Sequence, residues 1–284
     1  MPPISSLQNP RVKAAAKLRD RRERDKQGRI LVDGIREITR ALDAGVEILE
    51  LFVCQSLSED APSQTLLERV RQRSEVRQVL VTQAVMEKLA YGDRAEGLLA
   101  VAIPPETTLQ NLESRLVGST AGKSRVSVHN PKSTLLAIIE GAEKPGNIGA
   151  ILRSADATGV SGVIVADGGT DTFNPNVIRA SLGAVFSVPV AAASSAQALA
   201  WLRRQGIRIL TARVGAAVTY SAADYSGRLA IALGSEAHGL SPIWAGPDIT
   251  DISLPMLGKV DSLNLSTTAA VLFYEALRQR SAER

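Results

Sequence analysis

The chain has few of the residues that carry redox or metal chemistry. Its 284 residues include one cysteine, Cys54, and two histidines, His129 and His238. A single thiol cannot close an internal disulfide, and so few soft ligands argue against a transition-metal site. No apolar run approaches the roughly 20 residues needed to cross a bilayer. The opening MPPISSLQNPRVK has no apolar core behind its charges, so it does not read as a secretory leader. These absences describe a cytoplasmic, reduced, metal-free protein with no membrane partner. Hydrophobic residues at 45% and charged residues at 22% are enough to exclude a mostly disordered chain. The length suits roughly two domains.

The charge is unevenly placed. Residues 1–29 hold nine bases against three acids, a balance of +6, so the remainder of a chain of net charge +4 sums to −2. A basic arm ahead of a near-neutral body points to a polyanion, because each lysine or arginine on a phosphate releases a condensed counterion. Arg11, Lys13, Lys17, Arg19, Arg21 and Arg22 are the candidate cations to face it. A solvated helix laced with charge is the plainer reading of the same stretch. Leu7, Val12 and Leu18 form too thin an apolar stripe for membrane binding.

From residue 30 to 103, short β-rich runs alternate with amphipathic helical patterns. Strands are expected at 29–34, 48–54, 76–82 and 97–103, and helices at 35–45, 65–73 and 83–90. Residues 104–134 have no sustained period and read as a linker with a short strand at RVSVH (125–129). GSTAGKS (118–124) inside it imitates a phosphate-binding loop. It has three residues between its glycines where that loop needs four, and no helical pattern follows. From 135 to 284, apolar runs at 135–140, 162–167, 184–190, 208–212, 229–234 and 251–256 read as strands. Helical patterns fall near 147–158, 174–182, 194–205 and 266–279. Continuously apolar strands imply a sheet covered on both faces, hence parallel and α/β.

Ligands of such sheets sit outside the carboxyl ends of the strands, and three turns there are unusual. EKPGNIGAILRSADATG (143–159) carries Asn147 as a plausible helix cap and Arg153 on an otherwise apolar helix. Taken alone, Arg153 reads as a surface arginine lying along that helix. GSEAHGLSP (234–242) combines small residues, which let the backbone approach a ligand, with the polar atoms of Ser235 and Glu236. A serine-hydrolase reading fails there, since Ser235 lacks the glycine bracket of a nucleophile elbow. SLPMLGKVDSLNLSTTAAVLFYEALRQR (253–280) gathers Asp261, Ser262 and Asn264 before a long helix, beside Leu254, Met256, Leu257 and Leu263. These polar groups are either caps or part of a pocket for a partly apolar cofactor.

In order and spacing, the three segments resemble the motifs of the SpoU (TrmH) class of RNA ribose 2′-O-methyltransferases, in the SPOUT superfamily. RASLGAVFSVPV (179–190) is similar to the family's middle motif, and ISSLQNPRVKAAAKL with GRILVDGIREITRAL resembles members carrying an L30e-like substrate-binding domain. Beside the basic arm (1–29) and the linker (104–134), which it does not cover, the resemblance implies an L30e-like RNA-binding domain (30–103) and a SPOUT methyltransferase domain (135–284). That last domain would be α/β with a deep trefoil knot, and would form a homodimer. S-adenosylmethionine is the implied cofactor, held by Gly234, Leu254 and Leu263, with Thr211 and Ala212 lining the same pocket. A ligand packed on the backbone would leave no space for a Cβ at Gly234. Arg153 is implied as the central catalytic residue, working with an RNA phosphate. Asn147, Glu236, Ser262 and Asn264 would position the nucleotide or order the loops. Ribosomal RNA, 23S foremost, is the expected substrate, with transfer RNA second. The rivals are a non-catalytic RNA-binding assembly factor and a base methyltransferase. A nicotinamide dehydrogenase lacks its G-x-G-x-x-G after the first strand.

Overall fold

The computed structural model describes residues 2–90, 96–118 and 133–282. Most of GSTAGKS and the strand expected at 125–129 fall outside them. The chain divides into two compact units. One comprises Met1–Pro105 with Phe173–Ser187, the other Glu106–Thr172 with Val188–Arg284.

The first unit is built on a four-stranded sheet in the order β1 (Ile30–Asp33), β4 (Leu98–Ala102), β2 (Ile48–Val53), β3 (Arg77–Leu80). Helices α3 (Ile35–Asp43), α4 (Ala61–Arg71) and α5 (Gln83–Leu89) connect these strands, close to the expected positions. The segment expected as a basic arm is instead folded. Asn9 caps α1 (Pro10–Lys17), and α2 (Arg21–Gln27) ends at Gly28, whose φ is +60°. Val12, Ala15 and Leu18 point inward to join Leu31, Phe52 and Leu99 in one core. Those three sit at helical spacing, so a stripe too thin for a membrane suffices against a preformed sheet.

Residues 173–187 belong to this same unit although they lie in sequence between two strands of the other. Phe173 and Phe186 stack with ring centroids 6.0 Å apart. Helix α8 (Pro175–Ala180) packs on β1, and the single turn α9 (Ala184–Ser187) packs on α3. Arg179 pairs with the buried Asp33 at 3.4 Å. A strand was expected at 184–190. The chain instead reverses through Leu182 (φ +53°) and Gly183 (φ +81°), then makes a helical turn before β7 (Val190–Ala193) begins. A short apolar run is ambiguous between the two conformations.

The second unit has a sheet in the order β7, β6 (Gly162–Ala166), β5 (Leu135–Glu140), β10 (Leu229–Leu233), β8 (Arg208–Ala212), β11 (Ile249–Ser253), β9 (Val218–Thr219). Every pairing among its described strands is parallel. β5, β6 and β10 are buried at every residue, as a sheet covered on both faces requires. Helices α7 (Pro145–Thr158) and α11 (Leu265–Ala282) pack together, and α10 (Ser195–Arg204) starts with a capping box between Ser194 and Gln197. The stretch expected as a linker contains α6 (Leu109–Gly118). Thr108 caps it, and its Leu112 enters the sheet's core beside Leu136 and Ile164. No helix among the described residues is long and apolar enough to cross a membrane.

Candidate active site

The sheet order places β8, β10 and β11 side by side, so the turns leaving their carboxyl ends meet. A cavity of about 560 Å³ opens there. One wall is the turn Gly234–Leu240 after β10, another is Ala212–Val214 after β8. Leu254, Met256, Asp261, Ser262 and Leu263, after β11, close it with Leu265 and Thr268 of α11. The lining is mostly apolar side chain and backbone, with the acidic Glu236 and Asp261 and the basic Arg213 among it.

The Gly234 turn is pinched at its base. Ser235 and Gly239 exchange both backbone hydrogen bonds, at 3.1 and 2.9 Å. The Ser235 hydroxyl accepts the His238 N–H at 3.1 Å. A Cβ on Gly234 would lie 2.0 Å from the Gly239 carbonyl carbon and 2.2 Å from the Leu240 nitrogen. Glycine is therefore required by the turn's own backbone. This corrects the expectation that a bound ligand makes the demand.

A polar cluster gathers the three motif turns. Asn264, just ahead of α11, donates from Nδ2 to Glu236 Oε1 at 2.7 Å and to Asn147 Oδ1 at 3.2 Å. Its own Oδ1 accepts the Ser266 N–H and hydroxyl, which caps the helix. Lys144, at the start of α7, reaches Glu236 Oε2 at 2.6 Å. Hydrogen bonds from Lys144 and Asn147 hold the Glu236 carboxyl below the usual carboxylate range, and the Lys144 ammonium is raised in return.

Asn147, Glu236 and Asn264 are thus in one hydrogen-bonded group. Glu236, Gly234, Ala212, Leu254, Ser262 and Leu263 all line the one cavity. Thr211 does not. It is fully buried, and its hydroxyl donates to Asp251 Oδ1 behind the wall. Arg153 is exposed on α7, off that wall, with no side-chain hydrogen bond or ion pair to another described residue. It lies six residues beyond Asn147, about 240° around the helix. Sequence reasoning missed Lys144, whose signal was its place immediately before Pro145, a residue suited to the first position of a helix.

The basic candidates of the first unit differ in availability. Lys13, Lys17, Arg21 and Arg22 are exposed. Arg11 faces Glu50 at 3.7 Å, and Arg21 faces Asp25 at 3.9 Å. Arg19 is anchored, donating to the backbone carbonyls of Lys88 and Ala90 at the end of α5.

Comparison with known proteins agrees with this geometry. The profile of the SpoU rRNA Methylase family matches residues 134–274, and that of an MRM3-like substrate binding domain matches residues 9–100. A solved RNA 2′-O ribose methyltransferase is 38% identical over 99% of this chain and 100% of its own, with a TM-score of 0.79. A SpoU methyltransferase from Streptomyces viridochromogenes, solved in complex with AdoMet, is 26% identical over 98% of this chain and 100% of its own, with a TM-score of 0.82. A 23S rRNA (adenosine(1067)-2′-O)-methyltransferase of Streptomyces azureus is 28% identical over 89% of this chain and 87% of its own. The chain belongs to the SpoU rRNA methylase family.

Proposed function

We propose that this protein transfers a methyl group from S-adenosylmethionine to a ribose 2′-hydroxyl of structured RNA, with 23S ribosomal RNA as the substrate. The observation that carries this is the Lys144–Glu236–Asn264–Asn147 cluster at an apolar cavity assembled from three family motifs. The cavity's size lies in the range of small-molecule sites, roughly 300–1,000 Å³. Its apolar lining suits an adenosine, and the carboxylates of Glu236 and Asp261 suit a sulfonium. That cofactor supplies an activated methyl group, so the protein's part is mainly alignment.

Asn264 ties the Glu236 turn to α7, which holds the amide and carboxylate groups together for a nucleotide. Glu236 stays ionised through its Lys144 and Asn147 partners and accepts hydrogen bonds from ribose. Ser262, exposed on the wall, contributes a hydroxyl that both donates and accepts. The weakly acidic 2′-hydroxyl must also lose its proton. Arginine alone is a poor base because it stays charged. Arg153, with no side-chain partner among the described residues, binds an RNA phosphate and stays charged, and an oxygen of that phosphate accepts the proton. Thr211 acts at one remove, by holding Asp251.

The domain from 30 to 103 binds RNA in this scheme, aided by Lys13, Lys17, Arg21 and Arg22. The trefoil knot and a homodimer through the C-terminal domain are part of the same proposal. Leu257 (99% exposed), Val260 (64%) and Tyr274 (55%) are the large apolar side chains of that domain which such an interface would cover. Analytical ultracentrifugation should show a dimer, and Tyr274→Lys should shift it toward monomer.

Arg153→Ala tests the chemistry. Methyl transfer to RNA should fall by at least a hundredfold, while calorimetric binding of S-adenosylmethionine stays within about twofold. Mapping ribose methylation in cells with and without the gene then assigns the RNA. A methyl on a base, or on transfer RNA alone, would overturn the substrate named here.

A further inference from the structure

The turn that follows Leu240 is gripped by two charges of opposite sign. Glu140, the last residue of β5, is 6% exposed. Its Oε2 accepts the Ser241 N–H at 2.6 Å. Its Oε1 accepts the Ser241 hydroxyl at 2.7 Å, the Trp244 indole N–H at 2.9 Å and the Ser195 hydroxyl at 2.6 Å. Burial raises this carboxyl, but the hydrogen bonds from Ser195, Ser241 and Trp244 outweigh it and hold the group ionised below the usual range. On the other side, Arg213 donates to the carbonyl of Leu240 at 3.3 Å, to that of Ser241 at 3.4 Å and to that of Trp244 at 3.1 Å. Its Nε anchors on Asp251 at 3.1 Å.

The Leu240 carbonyl and the Ser241 N–H belong to one peptide group. A carboxylate holds its N–H end and a guanidinium its C=O end, so both charges favour the same direction of the peptide dipole. Bonds to ionised partners are about twice as strong as neutral ones. Gly239 and Leu240, immediately before this peptide, are cavity wall, and they are the backbone against which Gly234 presses. Arg213 also lines the cavity, whereas Glu140 stands behind it.

We propose that Glu140 and Arg213 are positioning residues for the cofactor pocket: together they orient the Leu240–Ser241 peptide and so set the affinity for S-adenosylmethionine. This rests on the reading that the cavity takes that cofactor. Glu140 provides the cleaner test because it does not line the cavity. In Glu140→Gln, either orientation of the amide sets its NH₂ against a group that can only donate. The Ser241 N–H and the Trp244 N–H sit on different carboxylate oxygens, and neither can accept.

Calorimetry on the full chain should find S-adenosylmethionine bound at least tenfold more weakly by Glu140→Gln, with a cooperative melt retained. Glu140→Gln/Trp244→Phe should bind more tightly than Glu140→Gln alone. Without the indole N–H, the amide can turn its NH₂ toward the serine hydroxyls, which do accept. Arg213→Lys, which keeps the charge but loses the fork, should also weaken binding about tenfold. Wild-type affinity in Glu140→Gln, with only the melting temperature lowered, overturns the proposal. So does a double variant that binds no more tightly than Glu140→Gln. If Glu140→Gln does not fold, wild-type affinity in Arg213→Lys overturns it instead. A wild-type chain that takes up no cofactor overturns the functional reading as well.

Discussion

A methyl group at position 234 would meet main chain, which cannot swing aside as a side chain can. Gly234→Ala should therefore open the Ser235–Gly239 bridge. We expect a loss of about 1–3 kcal/mol, the range for overpacking, together with loss of S-adenosylmethionine binding. Gly146 is the control. A Cβ there meets nothing within 4 Å, so Gly146→Ala should leave the melting temperature unchanged or slightly higher. Glu140 carries a pH signature at the same scale. Its folded pKa is depressed, so its contribution is present above the unfolded value of about 4.3 and is lost as pH falls through the folded one. The gap in melting temperature between wild type and Glu140→Gln should hold from pH 7 to about pH 5 and close below the ordinary glutamate range.

At the scale of elements, α1 has two faces with separate duties. Its inner face is core, so Leu18→Ala should cost about 2–5 kcal/mol in denaturant unfolding with no direct effect on RNA binding. Its outer face and the start of α2 carry Lys13, Lys17, Arg21 and Arg22. Replacing these four by glutamine should leave stability unchanged and flatten the salt dependence of RNA affinity, by roughly 0.9 in slope for each phosphate no longer neutralised. Deleting residues 1–29 would confuse the two effects, because Val12 and Leu18 would leave with the charges. The strands β5, β6 and β10 were legible in the sequence because burial on both faces writes an unbroken apolar run. Helix α6 was not: Leu109, Leu112 and Leu116 recur at helical spacing, but Pro104, Pro105 and Gly118 around them read as breakers. The motif residues Asn147, Glu236 and Asn264 could be named, but their mutual bonds could not. Those bonds join positions up to 117 apart in sequence, and the partnership of Glu140 with Trp244 is likewise distant. Nothing local announces either.

For the molecule as a whole, the first unit is discontinuous. A fragment ending at Pro105 would leave bare the faces of β1 and α3 that α8 and α9 cover, and would strip Asp33 of its Arg179 partner. Such a fragment should melt without a sharp transition and bind a hydrophobic dye. Supplying residues 173–187 through a flexible tether should restore cooperativity. Differential scanning calorimetry of the two pieces would decide it.

The fifteen residues from Phe173 to Ser187 have a consequence for engineering and descent. A module that borrows a stretch from the crossover of its neighbour's sheet cannot be traded by a single cut and splice. Any chimera that grafts this unit onto another methyltransferase must transplant both pieces, or choose a host whose own crossover already fits the vacated groove. Exchange between lineages should therefore have proceeded by co-inherited pairs of segments, with the junctions lying just outside 173 and 187.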